Sequence, residues 1–162
     1  MSSLKTEQKI ENGTLLVLLT GAIDEDTEFA TLDTASADSV TVDLNGVKSI
    51  NSVGIREWLN WIRPIAEKKP VNLRNCPKAI VFQLNMVEGF LPTGGKVSSF
   101  YVPYYCEKCD KESNVLFNLG KEVSLDGGQV KVNFTISGGT SGCAETACQM
   151  EMDAAEAKYF QF

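Results

Sequence analysis

Ser52 follows Asn51 and is two residues ahead of Gly54, in the run Ile50-Asn51-Ser52-Val53-Gly54-Ile55-Arg56-Glu57-Trp58-Leu59-Asn60-Trp61-Ile62. The strand-like Val40-Thr41-Val42-Asp43-Leu44 precedes it, and an amphipathic pattern follows. The hydroxyl therefore falls at a helix N-terminus. Unpaired backbone N–H groups there carry about half a positive charge, so the helix tolerates a phosphate ester. The same position also suits a plain N-cap, in which Asn51 or Ser52 accepts a hydrogen bond from the next turn. The acidic run Asp24-Glu25-Asp26, with Glu28 beyond it, is the nearest charged company in the strand order. A dianion on Ser52 would repel a partner docking beside that loop. Without a partner the loop is an ordinary solvated turn.

The second group able to do chemistry is sulfur. Cys106 and Cys109 are two residues apart, and Cys143 and Cys148 arrive after a hairpin-like stretch. A Cys-x2-Cys pair presents two thiolates to one tetrahedral ion, and a second pair closes a four-sulfur site. The Cys-x4-Cys spacing of the second pair is wider than the usual knuckle. A closed site of this kind is a structural zinc, since no position is left for water. The alternatives are a thiol-redox pair at Cys106/Cys109, or unligated thiols or disulfides. Cys76, before Pro77, reads as a small buried hydrophobe.

Other chemistry is excluded by composition. The chain has no histidine, which removes Ser-His-Asp and Cys-His catalysis and every histidine-containing metal site. Gly94-Gly95 and Gly138-Gly139 match neither a P-loop nor a dinucleotide fingerprint and read as turns. The formal net charge is −6, with the acidic excess present on both sides of residue 100, so nucleic acid is not an expected partner. No apolar run approaches the ~20 residues of a membrane span. The polar opening Met1 to Lys9 has no signal-peptide core, so a cytoplasmic protein is expected. Five cysteines are odd in number and few for a disulfide scaffold.

The elements that position these groups follow from periodicity. Residues 3–11 suggest an edge strand, and Asn12-Gly13 a hairpin turn. Thr14 to Ile23 is a strand buried on both faces. A short helix is expected within 24–38. Val40, Val42 and Leu44 form a third strand. Ile55, Trp58, Leu59, Ile62 and Ile65 form the buried stripe of a helix over 52–66, ended or kinked near Pro64. Val71 to Asn75 is a short strand, Pro77 opens a helix to about Glu88, and Gly89 closes it. Val97 to Tyr105 is the last strand of this half, with Pro103 outside any central pairing. Strands alternating with helices imply an α/β fold with parallel pairs. Beyond Pro103 the chain reads as a small β module, with Asp126-Gly127-Gly128 a turn and Val130 to Ile136 a strand.

The stretch Val42-Asp43-Leu44-Asn45-Gly46-Val47-Lys48-Ser49-Ile50-Asn51-Ser52-Val53-Gly54-Ile55 resembles the STAS family, found in bacterial anti-sigma factor antagonists and sulfate-transporter tails. The family motif is Asp-Ser-Ser-Gly-(Leu/Ile) opening a helix. Here Asn51 stands at the motif aspartate and Val53 at the second serine. The order of elements over residues 3–102 is also similar. The resemblance implies a mixed sheet covered by helices and a non-enzymatic regulatory role. It also implies docking on a kinase-like, anti-sigma-like protein partner around Asn51, Ser52, Gly54 and Asp24, with Ser52 the phosphorylated serine. The later Gln83-Leu84-Asn85-Met86, Tyr101-Val102-Pro103-Tyr104-Tyr105-Cys106 and Tyr159-Phe160-Gln161-Phe162 are similar to a proteobacterial-type subgroup, in which a cysteine-pair module follows the STAS-like domain. The expected organisation is a STAS-like domain at 1–102 and a zinc-ribbon-like β module at 103–162, with zinc on Cys106, Cys109, Cys143 and Cys148. A scaffold without a phosphoswitch is the alternative function, and a thiol-redox protein a further one.

Overall fold

The computed structural model describes the backbone of residues 4–106, 111–119, 123–126, 129–132 and 151–152, and the side chains of residues 4–103 and 114–119. The elements run β1 (Lys5–Glu11), β2 (Thr14–Ile23), β3 (Ser39–Ile50), α1 (Ser52–Lys68), β4 (Val71–Arg74), α2 (Lys78–Met86), β5 (Lys96–Val97), β6 (Ser99–Cys106), β7 (Lys111–Asn118), β8 (Val123–Asp126), β9 (Gln129–Val132) and β10 (Glu151–Met152). The fold is α/β. A five-stranded sheet has the order β1-β2-β3-β4-β5. β1 is antiparallel to β2, and every other neighbouring pair in that sheet is parallel.

The β1–β2 hairpin forms because Asn12 and Gly13 both adopt positive φ, +50° and +79°. A two-residue turn of that kind matches the twist of the flanking strands. β2 carries Leu15, Leu16 and Val17 in succession, all buried, as a strand covered on both faces requires. β3 extends six residues beyond the alternating run that ends at Leu44. Its register against β2 shifts between Leu18 and Thr20 and again between Gly21 and Ala22. Gly46 sits in the first irregularity, where a Cβ would come within 2.9 Å of the Leu19 carbonyl oxygen.

Strands β3, β4 and β5 succeed one another across the sheet, with α1 and α2 as their crossovers. Right-handed connections in one direction place both helices on one face. The core between sheet and helices holds Val17, Leu19, Val42, Leu44, Trp58, Ile62, Leu73 and Ile80. Trp58 donates from its indole N–H to the Phe90 carbonyl at 2.9 Å and stacks on the Phe90 ring at 5.2 Å.

Three expectations are corrected. No helix forms in 24–38; the segment is turn and extended chain, held by Phe29 and Leu32 against the core. Phe29 stacks on Trp61 at 4.5 Å, and the Trp61 indole donates to the Ala30 carbonyl at 3.0 Å. Side chains from α1 thus do the work that a helical pattern would otherwise do. Second, Pro64 lies inside α1 and does not end it. The helix runs to Lys68, and the Lys69 N–H closes on the Ile65 carbonyl. Third, Pro103 is paired within β6, opposite Asn114 of β7.

A second, three-stranded sheet of order β10-β6-β7 abuts the end of β4. Past Ser98 the chain continues as β6. Phe100 bridges Cys76, and the Leu119 N–H bonds the Ser98 carbonyl. Phe100, Val102 and Phe117 are buried in the same core as the helices. β6 pairs along its whole length with β7, so it crosses residue 103 without a break. β10 pairs with the opposite edge of β6, and β8 and β9 form a separate hairpin around residues 127–128. No helix among the described residues is long and apolar enough to cross a membrane.

Candidate functional site

The start of α1 is built by Asn51. Its backbone is extended (φ −111°, ψ −179°), and its Oδ1 accepts the Gly54 N–H at 2.8 Å. Asn51 is therefore the N-cap, and Ser52 is the first helical residue. Between the two capping assignments open to the sequence, the structure selects Asn51. The Ser52 side chain is exposed, and its hydroxyl has no hydrogen-bond partner among the described residues. The first turn of α1 contains no acidic residue, so its partial positive charge is not offset from within the helix.

Gly54 fixes where this helix end lies. It is buried, and a Cβ added there would collide with the Ile23 carbonyl at the end of β2. The same added atom would come within 3.0 Å of the Asp24 backbone nitrogen. The Asn51 N–H meanwhile bonds the Ile23 carbonyl at 3.1 Å. The helix start and the acidic loop are thus in direct backbone contact.

That loop is ordered by its own side chains. Asp24 Oδ1 accepts the Asp26 N–H at 3.0 Å, the Asp24 N–H donates to Thr27 Oγ1 at 2.7 Å, and the Thr27 N–H returns to the Asp24 carbonyl at 3.1 Å. A short aspartate side chain bonding its own backbone two residues on is the usual means of holding such a turn. Glu25 is left facing Asn51, whose amide nitrogen donates to Glu25 Oε2 at 2.6 Å. Hydrogen bonds from the Glu25 backbone and then from Asn51 hold the Glu25 carboxyl below its ordinary value. Asn51 thereby serves both sides: its oxygen caps the helix and its nitrogen latches the loop.

The structure therefore brings together the four residues singled out for docking, Asn51, Ser52, Gly54 and Asp24. Asp24 acts through its turn, and the carboxylate beside the helix start is that of Glu25. Together they form a corner with an exposed hydroxyl. A cleft of about 640 Å³ lies at the other end of α1, between Arg63, Glu67 and the 88–93 segment.

A second polar group was not found from the sequence. Asp43 is 7% exposed on the sheet face opposite the helices. Its Oδ2 accepts Arg74 Nε and Asn75 Nδ2, each at 2.9 Å, and its Oδ1 accepts the Asn45 N–H at 2.9 Å. Asn75 holds a positive φ of +53° and ends β4 by pairing with Ser99. The one available signal was an aspartate inside an apolar alternation. Its side-chain partners, Arg74 and Asn75, come from about thirty residues away and carry no local pattern. Next to this group Cys76 is fully buried, and burial, reinforced by the Asp43 charge, pushes its thiol upward. A thiol so placed is inert, consistent with the small hydrophobe expected there.

Cys109, Cys143 and Cys148 lie outside the described residues, as does the side chain of Cys106. No group of three or more His, Cys, Asp or Glu side chains able to hold a metal stands together among the described residues. No family model matches the chain, and neither a curated protein nor a solved structure matches it.

Proposed function

We propose that the protein is a non-enzymatic regulatory module that docks a protein partner on the corner formed by Asn51, Ser52 and the Asp24–Asp26 loop. The partner is a kinase-like or anti-sigma-like regulator, and phosphorylation of Ser52 releases it. The observation that carries this reading is the division of labour at the helix start. Asn51 takes the capping role, so the Ser52 hydroxyl is spare, exposed and set at a positive helix end. A phosphate there would be welcome to the helix and would add to the negative charge of Glu25 against an incoming surface.

The test is incubation with candidate partner kinases and ATP, followed by binding of the Ser52→Asp variant. Labelling at Ser52, and weaker partner binding by the variant, support the proposal. Absence of association and label across all of them counts against it. A scaffold function is the second reading, favoured by asparagine standing at the motif aspartate. It is supported if the partner binds Ser52→Asp and the native chain equally.

For the second half we propose a zinc-ribbon-like module with a structural ion on Cys106, Cys109, Cys143 and Cys148. β6 ends at Cys106 and β7 begins at Lys111, so the first pair falls at a hairpin connection. A knuckle at a hairpin end is the usual setting for such a pair. One zinc per chain with four thiols protected from alkylation is the expected result. A reducible Cys106–Cys109 disulfide without zinc would favour the redox alternative.

A further inference from the structure

β1 is the outer strand of the five-stranded sheet. One of its faces carries charges of alternating sign, Lys5, Glu7, Lys9 and Glu11, all exposed. The turn at Asn12-Gly13 sets Glu11 opposite Thr14. Such a turn closes with the carbonyl of its first residue on the N–H of its fourth. The backbone groups of Glu11, and of every second residue before it, therefore point to β2. Those of Thr6, Gln8 and Ile10 point out of the sheet. Among the described residues, none beyond β2 bonds them.

We propose that a second copy of the chain pairs with this edge, β1 against β1 and antiparallel, about a twofold axis through Gln8. In that register Thr6 faces Ile10 of the second copy and Gln8 faces its own counterpart. Each of these pairs exchanges both of its N–H···O bonds. Lys5 then stands opposite Glu11 of the second copy, and Glu7 opposite its Lys9. These are the non-hydrogen-bonded pairs, in which side chains approach most closely. Every charge on the strand meets its opposite.

A slide of two residues keeps the hydrogen-bonding pattern and reverses the electrostatics. In one direction Lys9 meets Lys9 and Glu7 meets Glu11. In the other, Glu7 meets Glu7 and Lys5 meets Lys9. Like charges directly opposite are destabilising, so the charges select a single register. Charge on an edge strand commonly keeps copies apart. This edge is neutral over its length and complementary to itself, so it does not repel its twin. The Lys9–Glu11 contact at 3.2 Å joins two half-exposed side chains and competes weakly. Ile10, 50% exposed, gains cover from Thr6 of the second copy. The pairing is short, so the dimer is a weak one.

The test is sedimentation equilibrium of the full chain from micromolar concentration to about 1 mM, the weak end of specific association. Amide hydrogen exchange is measured alongside. A dimer is expected at the top of the range, with exchange at Thr6, Gln8 and Ile10 slowing in step with the dimer fraction. The amides of Glu7 and Lys9, already bonded to β2, should not change. Lys5→Glu with Lys9→Glu makes the edge wholly acidic, and Glu7→Lys with Glu11→Lys makes it wholly basic. Each double variant should be monomeric alone, and the two mixed should form a one-to-one dimer. Native amide protection in β2 and β3 checks that both are folded. A chain that stays monomeric with those three amides unprotected overturns the proposal and leaves the edge to a strand of another protein. The same amides protected in a monomer also overturn it, and mean that the chain covers its own edge. A dimer that forms unchanged in both variants overturns it by placing the contact elsewhere.

Discussion

Asn51 ties two elements with one side chain, and this makes the corner sensitive to single substitutions. Asn51→Ala removes the cap and the latch together. The expected loss is about 1 kcal/mol, the usual value of a capping side chain, read by urea denaturation. The exposed Glu25 adds a pH signature. Its carboxyl titrates below the ordinary value in the folded chain, so its contribution is complete above the unfolded value of 4.5 and is lost as pH falls through the lowered one. Carboxyl ¹³C titration should place Glu25 below 4.5 in the native chain, and higher in Asn51→Ala. At Gly54 the expected effect is larger. Gly54→Ala forces a methyl into the Ile23 backbone carbonyl, which cannot move aside as a side chain would. A loss of about 3 kcal/mol is expected from such overpacking, again by denaturation. Ser52→Ala at the same helix end should leave stability nearly unchanged, because its hydroxyl caps nothing.

At the level of elements, the 24–38 connection shows why a helix was expected and is not there. It links parallel strands β2 and β3, where a helix is the common solution. Its own sequence has no 3.6-residue stripe, and Trp61 holds it from outside. Trp61→Ala should therefore raise amide exchange at residues 27–32 by tenfold or more, while β2 and β3 keep their protection; equal protection throughout would mean the loop holds itself. The hairpin β1–β2, by contrast, was readable from Asn12-Gly13 and the apolar run that follows, because both signals are local. The helix α1 and its buried stripe were readable for the same reason. Its passage through Pro64 was not, since the packing of Ile62 and Ile65 on either side of the proline is a tertiary fact. The Asp43 group was hidden for a related reason: Arg74 and Asn75 reach it only once β3 and β4 are paired.

At the scale of the whole molecule, the β6–β7 hairpin shares the core of the α/β sheet. Phe117 is fully buried and lies 6.2 Å from the Phe100 ring. Phe117→Ala should cost about 3–5 kcal/mol and shift a single transition seen equally by tryptophan fluorescence and by far-UV circular dichroism. Two separated transitions would mean that the hairpin unfolds on its own. Pro103 in mid-strand gave no hint of this continuity, because a proline is compatible with a strand when its missing N–H is not needed by the neighbouring strand.

Cys76 has a practical consequence at this scale. Encased in the core and held in its protonated form, it should not react with a soluble disulfide reagent while the chain is folded. Of the five cysteines, it should then respond only when denaturant is added. The folded-state reading would report solely on the other four, without mutating any of them. The rate at which the fifth appears would time the opening of the core itself.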